Sequence, residues 1–126
     1  MFKIKRIDHV AITTQNMQVS INWYCDVLGG KRIFSDKWEG EPAFIEIGES
    51  SIAIFSCSSV KKSEAGHDKI NILHIAFNAN ADNFKEAQKI LKEKNISFRF
   101  EDHGVCHSIY FRDPDDHLIE ITTYEI

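Results

Sequence analysis

Cysteine is scarce and scattered in this 126-residue chain: Cys25, Cys57 and Cys106 are odd in number and far apart. No C-x-x-C occurs, so neither a zinc ribbon nor a disulfide framework is indicated, and a reducing cytoplasm is the expected setting. Cys25, beside Trp23 and Tyr24 in a helical pattern, reads as a packed, inert thiol. Long apolar runs are missing too. No stretch approaches the roughly 18 residues needed to span a membrane, and MFKIKRIDHV carries no apolar run behind its basic residues, so it is not expected to be a signal peptide. Positive charge is thin. The longest basic cluster is Lys61-Lys62 and the formal net charge is −4, so neither nucleic acid nor an anionic membrane is an expected partner.

What remains is an ordinary globular balance, 43% apolar and 27% charged residues, which fits one compact domain or two small halves sharing a core. The chain repeats itself. Ile7-Asp8-His9-Val10-Ala11-Ile12 lies beside Ile72-Leu73-His74-Ile75-Ala76-Phe77, two strand-like runs with a histidine at the same place. Each passes through polar residues into a helical stretch. The first is expected over about 17–28, with Asn16 as N-cap, Gly29-Gly30 as the stop, and Val19, Ile21, Trp23, Tyr24, Val27 and Leu28 forming a buried stripe. The second is expected over about 82–94, with Phe84, Ala87, Ile90 and Leu91 inward and Asn95 at its exit. Three strand-like segments follow each helix: 31–37, 43–47 and 51–56, then 96–101, 108–112 and 118–123.

The closing hairpins, AFIEIGESSIAIF and IYFRDPDDHLIEI, align without a gap, with Gly48-Glu49-Ser50 and Pro114-Asp115-Asp116 as their turns. Module one is therefore expected over about 1–58, a linker over about 58–69 and module two over about 70–126.

Strand side chains alternate between faces. The larger apolar sets (Val10 and Ile12; Leu73, Ile75 and Phe77) can cover the sheet beneath each helix, which leaves His9 and His74 on the other side. In the last strand Glu120 points away from Ile119 and Ile121. A carboxylate in a partly buried groove is costly unless paired or bound to a cation. Two imidazoles and one carboxylate on neighbouring strands can hold a divalent ion with open positions for water or substrate. A lone strand histidine is more often a packed core residue, so at this point both readings stand.

Three segments, IDHVAITT with the helix ending NWYCDVLGG, LHIAFNA, and SIYFRDPDDHLIEI, make the whole chain resemble the vicinal oxygen chelate superfamily. That superfamily includes glyoxalase I, fosfomycin-resistance proteins, extradiol dioxygenases and bleomycin-resistance proteins. The resemblance implies an α+β fold of two tandem βαβββ modules forming a U-shaped, cup-like mixed sheet around one divalent ion (Fe²⁺, Mn²⁺, Zn²⁺ or Ni²⁺). It puts His9, His74 and Glu120 on the ligand positions, and it implies a small-molecule substrate and a homodimer.

Departures from the family pattern narrow the chemistry. Glyoxalase I supplies a fourth ligand from the last strand of its first module, where this chain has SIAIFS, with Ala53 or Ile54 opposite Glu120. Glyoxalase I activity is therefore not expected. The fosfomycin-resistance enzymes offer Ser and Tyr at the positions of Ser108 and Tyr110, and Tyr110 is the candidate donor to an oxygen of the substrate. Phe100 stands where a phosphonate-holding lysine would be, and the sequence ends at Ile126 before the position of a C-terminal arginine, so a phosphonate is not expected. Glu41 lies near the catalytic base of the hydrolytic branch, although a solvated loop residue is the plainer reading. His103 and His107 could serve a dioxygenase-like pocket, while His67 and His117 are given no chemistry.

The expected activity is Lewis-acid catalysis on an oxygen-chelating substrate, with epoxide opening or dioxygenase-like chemistry favoured. The alternative is a non-catalytic binding protein of the bleomycin-resistance type, with Trp38, Phe44, Phe100 and Tyr110 lining its cleft.

Overall fold

A computed structural model describes residues 1–60 and 71–126; most of the expected linker, with His67, lies outside the described residues. The chain divides into two compact units, Met1–Ala65 and Gly66–Ile126. The first carries β1 (His9–Thr14), α1 (Met17–Leu28), β2 (Lys31–Ile33), β3 (Ala43–Ile47) and β4 (Ser50–Ser56). The second carries β5 (Ile75–Asn78), α2 (Ala81–Glu93), β6 (Arg99–Asp102), β7 (His107–Arg112) and β8 (Leu118–Thr123). Sheet orders are β1-β4-β3-β2 and β5-β8-β7-β6, the same topology twice. In each unit the first and last strands pair in parallel and the others antiparallel. The fold is α+β, built from two repeated βαβββ modules.

Each helix is fixed by side chains at its ends. The Asn16 side chain accepts from the Val19 N–H at 3.2 Å and the Asn80 side chain from Asn83 N–H at 2.8 Å, each cap worth about 1 kcal/mol. At the end of α1, Gly29 takes the left-handed conformation (φ 66). Gly30 serves a different need, since a Cβ there would lie 2.9 Å from the Tyr24 carbonyl and press on Ile45 of β3. The helix can settle on its sheet because no side chain intervenes. α2 ends without glycine. Asn95 (φ 58) donates to Lys92 O at 3.1 Å and Ile96 to Leu91 O at 2.9 Å, the two bonds of a Schellman motif.

The core of the first unit is Ile21, Tyr24, Ala43, Ile45, Ile52 and Ile54; that of the second is Phe84, Leu91, Ile109, Phe111 and Ile119. Val19, expected in the buried stripe, is 48% exposed, because it sits in the first turn of α1 beside the cap. Four expected strands start late or stop early: β1 begins at His9 and β5 at Ile75, which leaves Ile7, Ile72 and Leu73 exposed instead of in strands, with Leu73 not covering the sheet beneath α2. β2 stops at Ile33 because Phe34 is left-handed (φ 56), and β6 starts at Arg99 because residues up to Ile96 are tied to the end of α2. All three cysteines are free, and among the described residues no helix is long and apolar enough to cross a membrane.

Candidate metal centre

The strand registers within each unit can be compared residue for residue. In the first, Ala11 lies opposite Ala53, which lies opposite Phe44. In the second, Ala76 lies opposite Glu120, which lies opposite Tyr110. Ala11 and Ala76 each stand two residues after the histidine, so His9–Phe44–Ala53 corresponds to His74–Tyr110–Glu120. The gap-free alignment of the hairpins is corrected by this register. Between the corresponding pairs Glu46↔Ser51 and Arg112↔Leu118 the second turn holds one more residue, so Glu120 corresponds to Ala53 and not Ile54.

The row in the second unit is polar and connected. His74 Nε2 lies 3.0 Å from Glu120 Oε2, and the Tyr110 hydroxyl donates to Glu120 Oε1 at 3.1 Å. Glu120 is 8% exposed, so its charge depends on those partners. Burial first, then the hydrogen bond that the phenol donates to Glu120 and the charge of that carboxylate, push the Tyr110 phenol above its ordinary value of 10.0. It therefore keeps its proton at neutral pH. Arg99, opposite Tyr110, holds its guanidinium 4.8 Å from that ring's centroid and pairs with Glu101 at 2.7 Å. His103 completes the chain: its Nε2 lies 3.0 Å from the Tyr110 hydroxyl and 3.6 Å from Glu101 Oε2.

In the first unit, His9 Nδ1 lies 2.8 Å from Asp8 Oδ2, a contact that holds the Asp8 carboxyl below its ordinary value. The His9 ring meets the edge of Phe44 at 5.0 Å between centroids. Phe44 in turn belongs to an aromatic cluster with Phe34 (5.8 Å) and Trp38 (5.5 Å). Phe34 and Trp38 both carry positive φ and are half exposed.

Taken by itself, each unit offers donor types that a divalent ion accepts. A histidine ligand commonly gives its second ring N–H to a carboxylate, as Asp8 allows at His9, which leaves Nε2 with its lone pair. Two donors bound side by side at ~2.0–2.2 Å and near a right angle stand ~3 Å apart, the separation of His74 Nε2 and Glu120 Oε2.

The other residues singled out from sequence are spread more widely. Ser108 faces the same side as Tyr110; its buried hydroxyl bonds Thr122 at 3.1 Å and also acts on the Tyr110 phenol. Phe100 pairs with the core residue Ile109 and packs against Phe84 of α2 and His107, on the helix side of the sheet and away from Glu120. Glu41 Oε1 accepts from the Ser56 N–H at 2.6 Å and the Ser59 hydroxyl at 2.5 Å, so it fastens the end of β4. His107 lies 3.6 Å from Asp102. Asp113, Asp115 and His117 also bring donor atoms within 4.8 Å of one another. There, however, Asp113 accepts from the backbone N–H groups of Asp115 and His117 and contacts His117 Nδ1 at 2.7 Å, as the clasp of its own turn. His103 is the residue whose part was least visible in the sequence. Its place on β6's exit, across from Tyr110, depends on the register of β6 with β7 and on the turn at Gly104 (φ 81).

Residues 6–121 match a protein family described as the Glyoxalase/Bleomycin resistance protein/Dioxygenase superfamily. The chain is 30% identical over 124 residues to a metallothiol transferase FosB of Staphylococcus epidermidis, covering 96% of this chain and 83% of that protein. Among solved structures, it is similar to a glyoxalase/dioxygenase from Nostoc punctiforme, with a TM-score of 0.77, 21% identity, and coverage of 97% of this chain and 92% of that one. It is also similar to the fosfomycin resistance protein FosX from Listeria monocytogenes, with a TM-score of 0.73, 21% identity, and coverage of 96% and 94%.

Proposed function

Because the chain belongs to the glyoxalase/bleomycin resistance protein/dioxygenase superfamily, we propose that it is a divalent-metal-dependent enzyme acting on a small, oxygen-chelating substrate. Its ligands are His9, His74 and Glu120, a set suited to Fe²⁺, Mn²⁺, Zn²⁺ or Ni²⁺. The observation that carries this reading is the 3.0 Å approach of His74 Nε2 to a Glu120 oxygen whose partner oxygen is held by Tyr110. An ion bound there supplies Lewis-acid charge to an oxygen of the substrate.

The chain's own groups have separate tasks. Asp8 fixes the tautomer of His9. Tyr110, kept protonated, is a hydrogen-bond donor beside the carboxylate. Glu41 is the candidate base and Trp38 the candidate substrate contact; Ser108, buried and bonded to Thr122, and Phe100, on the helix side of its sheet, are not proposed to touch the substrate. The favoured reaction is epoxide opening: a nucleophile bonds to one ring carbon as its C–O bond breaks, and the released oxyanion takes up the nucleophile's proton. Similarity to a metallothiol transferase over 96% of the chain supports this class. The alanine at the place corresponding to Glu120 speaks against a four-ligand glyoxalase I site. The same reading has the protein act in the cytoplasm as a homodimer.

The half-exposed cluster of Phe34, Trp38 and Phe44 favours a second reading, a binding protein that sequesters an aromatic ligand without chemistry. Elemental analysis of protein purified without chelator separates the two, followed by a panel of epoxides with thiols, catechols and hemithioacetals. One divalent ion per chain, and turnover lost in His74→Ala, is the expected result. Protein without bound ion, unresponsive to added Mn²⁺ and indifferent to His74→Ala, sinks the enzymatic reading.

A further inference from the structure

The direction of the hydrogen bonds around Tyr110 has a consequence for Glu120. A carboxylate only accepts, so the phenol proton must point to Glu120 Oε1, at 3.1 Å. A phenol has one proton. The face of its oxygen turned to His103 Nε2, at 3.0 Å, can then only accept. His103 must present an N–H at Nε2. The Glu101 carboxylate, 3.6 Å from the same nitrogen, favours a hydrogen there as well, and Arg99 holds Glu101 in place through a 2.7 Å contact.

We infer that His103 is a positioning residue: its Nε2–H sets the rotor of the Tyr110 hydroxyl, which occupies Glu120 Oε1 and leaves Oε2, beside His74, as the one oxygen that binds the ion. Glu120 is thereby a monodentate ligand. A planar hydroxyl has two favourable in-plane orientations, and without the donor at His103 only Ser108 and Glu120 remain to direct the phenol, so its proton is held less firmly on Glu120. Glu120 Oε1 would then be freer to swing toward the ion.

This inference rests on the proposed metal site, but its first test does not. In metal-free protein, long-range ¹H–¹⁵N correlation spectra should show His103 as the Nε2–H tautomer; a neutral ring with hydrogen on Nδ1 overturns the inference. The second test is Mn²⁺ affinity. Removing an outer-shell partner typically costs about 10–100-fold, so His103→Leu and Tyr110→Phe should each weaken binding by about 10-fold. The double variant should be no weaker than Tyr110→Phe alone. His103→Gln, which keeps a donor, should return to within about twofold of the unsubstituted protein. A His103→Leu loss that persists undiminished in the Tyr110→Phe background, or no loss at all, contradicts the positioning role. Failure of the unsubstituted protein to bind Mn²⁺ counts against the metal site itself, and the tautomer then still decides the case of His103.

Discussion

The two halves share a topology and a register, yet the corresponding rows differ in chemistry. His9–Phe44–Ala53 is an apolar row with one imidazole, held by Asp8 from outside the strand. His74–Tyr110–Glu120 is a hydrogen-bonded row in which every polar atom named has a partner. The same scaffold occurs twice, and the hydrogen-bonded polar row lies in one copy. Burial explains why this division is stable. A second carboxylate at Ala53, which is 1% exposed, would be a buried charge without a hydroxyl opposite it, because Phe44 stands where Tyr110 does.

The largest expected effect follows from making the second row resemble the first. Glu120→Ala should lower Mn²⁺ affinity by about 100-fold or more, beyond the outer-shell range, as measured by calorimetry. An undiminished affinity would mean that the difference between the rows has no bearing on metal. The helix ends separate the halves next. Gly30→Ala should destabilise the protein by roughly 1–3 kcal/mol, since the new methyl meets the Tyr24 carbonyl and Ile45 and the backbone must shift. Chemical denaturation checks it. Asn95→Gly, at the left-handed exit of α2, should be nearly neutral.

The turns differ as well, and among the described residues only the second carries ion pairs. The hydrogen bond to Asp113, opposed in part by burial, raises the His117 imidazole above its ordinary 6.5. A raised value in the folded state means that protonated His117 favours folding. That contribution is fully present below about pH 6.5 and is lost as pH rises through the raised value. An NMR titration should give a midpoint above 6.5. His117→Gln should cost about 1 kcal/mol or less below pH 6.5 and progressively less above it. The smallest contrast is between the caps: Asn16→Ala and Asn80→Ala should cost about 1 kcal/mol each, because both side chains make the same bond.

These differences also mark where sequence reading succeeds. α1 falls on the expected residues 17–28 because its cap and its glycine are local signals. Glu120 alternates with buried Ile119 as its strand pattern suggests, but Leu73 is 81% exposed and His74 precedes β5, so the contact between His74 and Glu120 depends on the pairing of β5 with β8, which is not local. The offset of Glu120 to Ala53 was not readable, since a turn one residue longer leaves no trace in an ungapped pattern. Phe100 reads in sequence as a cleft residue, but strand parity puts it, 48% exposed, on the helix side of the sheet beside Phe84. His103 lies beyond the end of β6, and no periodicity foretells that it reaches Tyr110.

X-ray absorption at the manganese edge of the Mn²⁺-loaded protein measures the central claim most directly. Two imidazoles and one carboxylate oxygen should surround the ion, and His9→Ala should remove one imidazole from the fit while His74→Ala removes the other. An ion whose coordination contains no imidazole, or whose spectrum is unchanged by both substitutions, would contradict it.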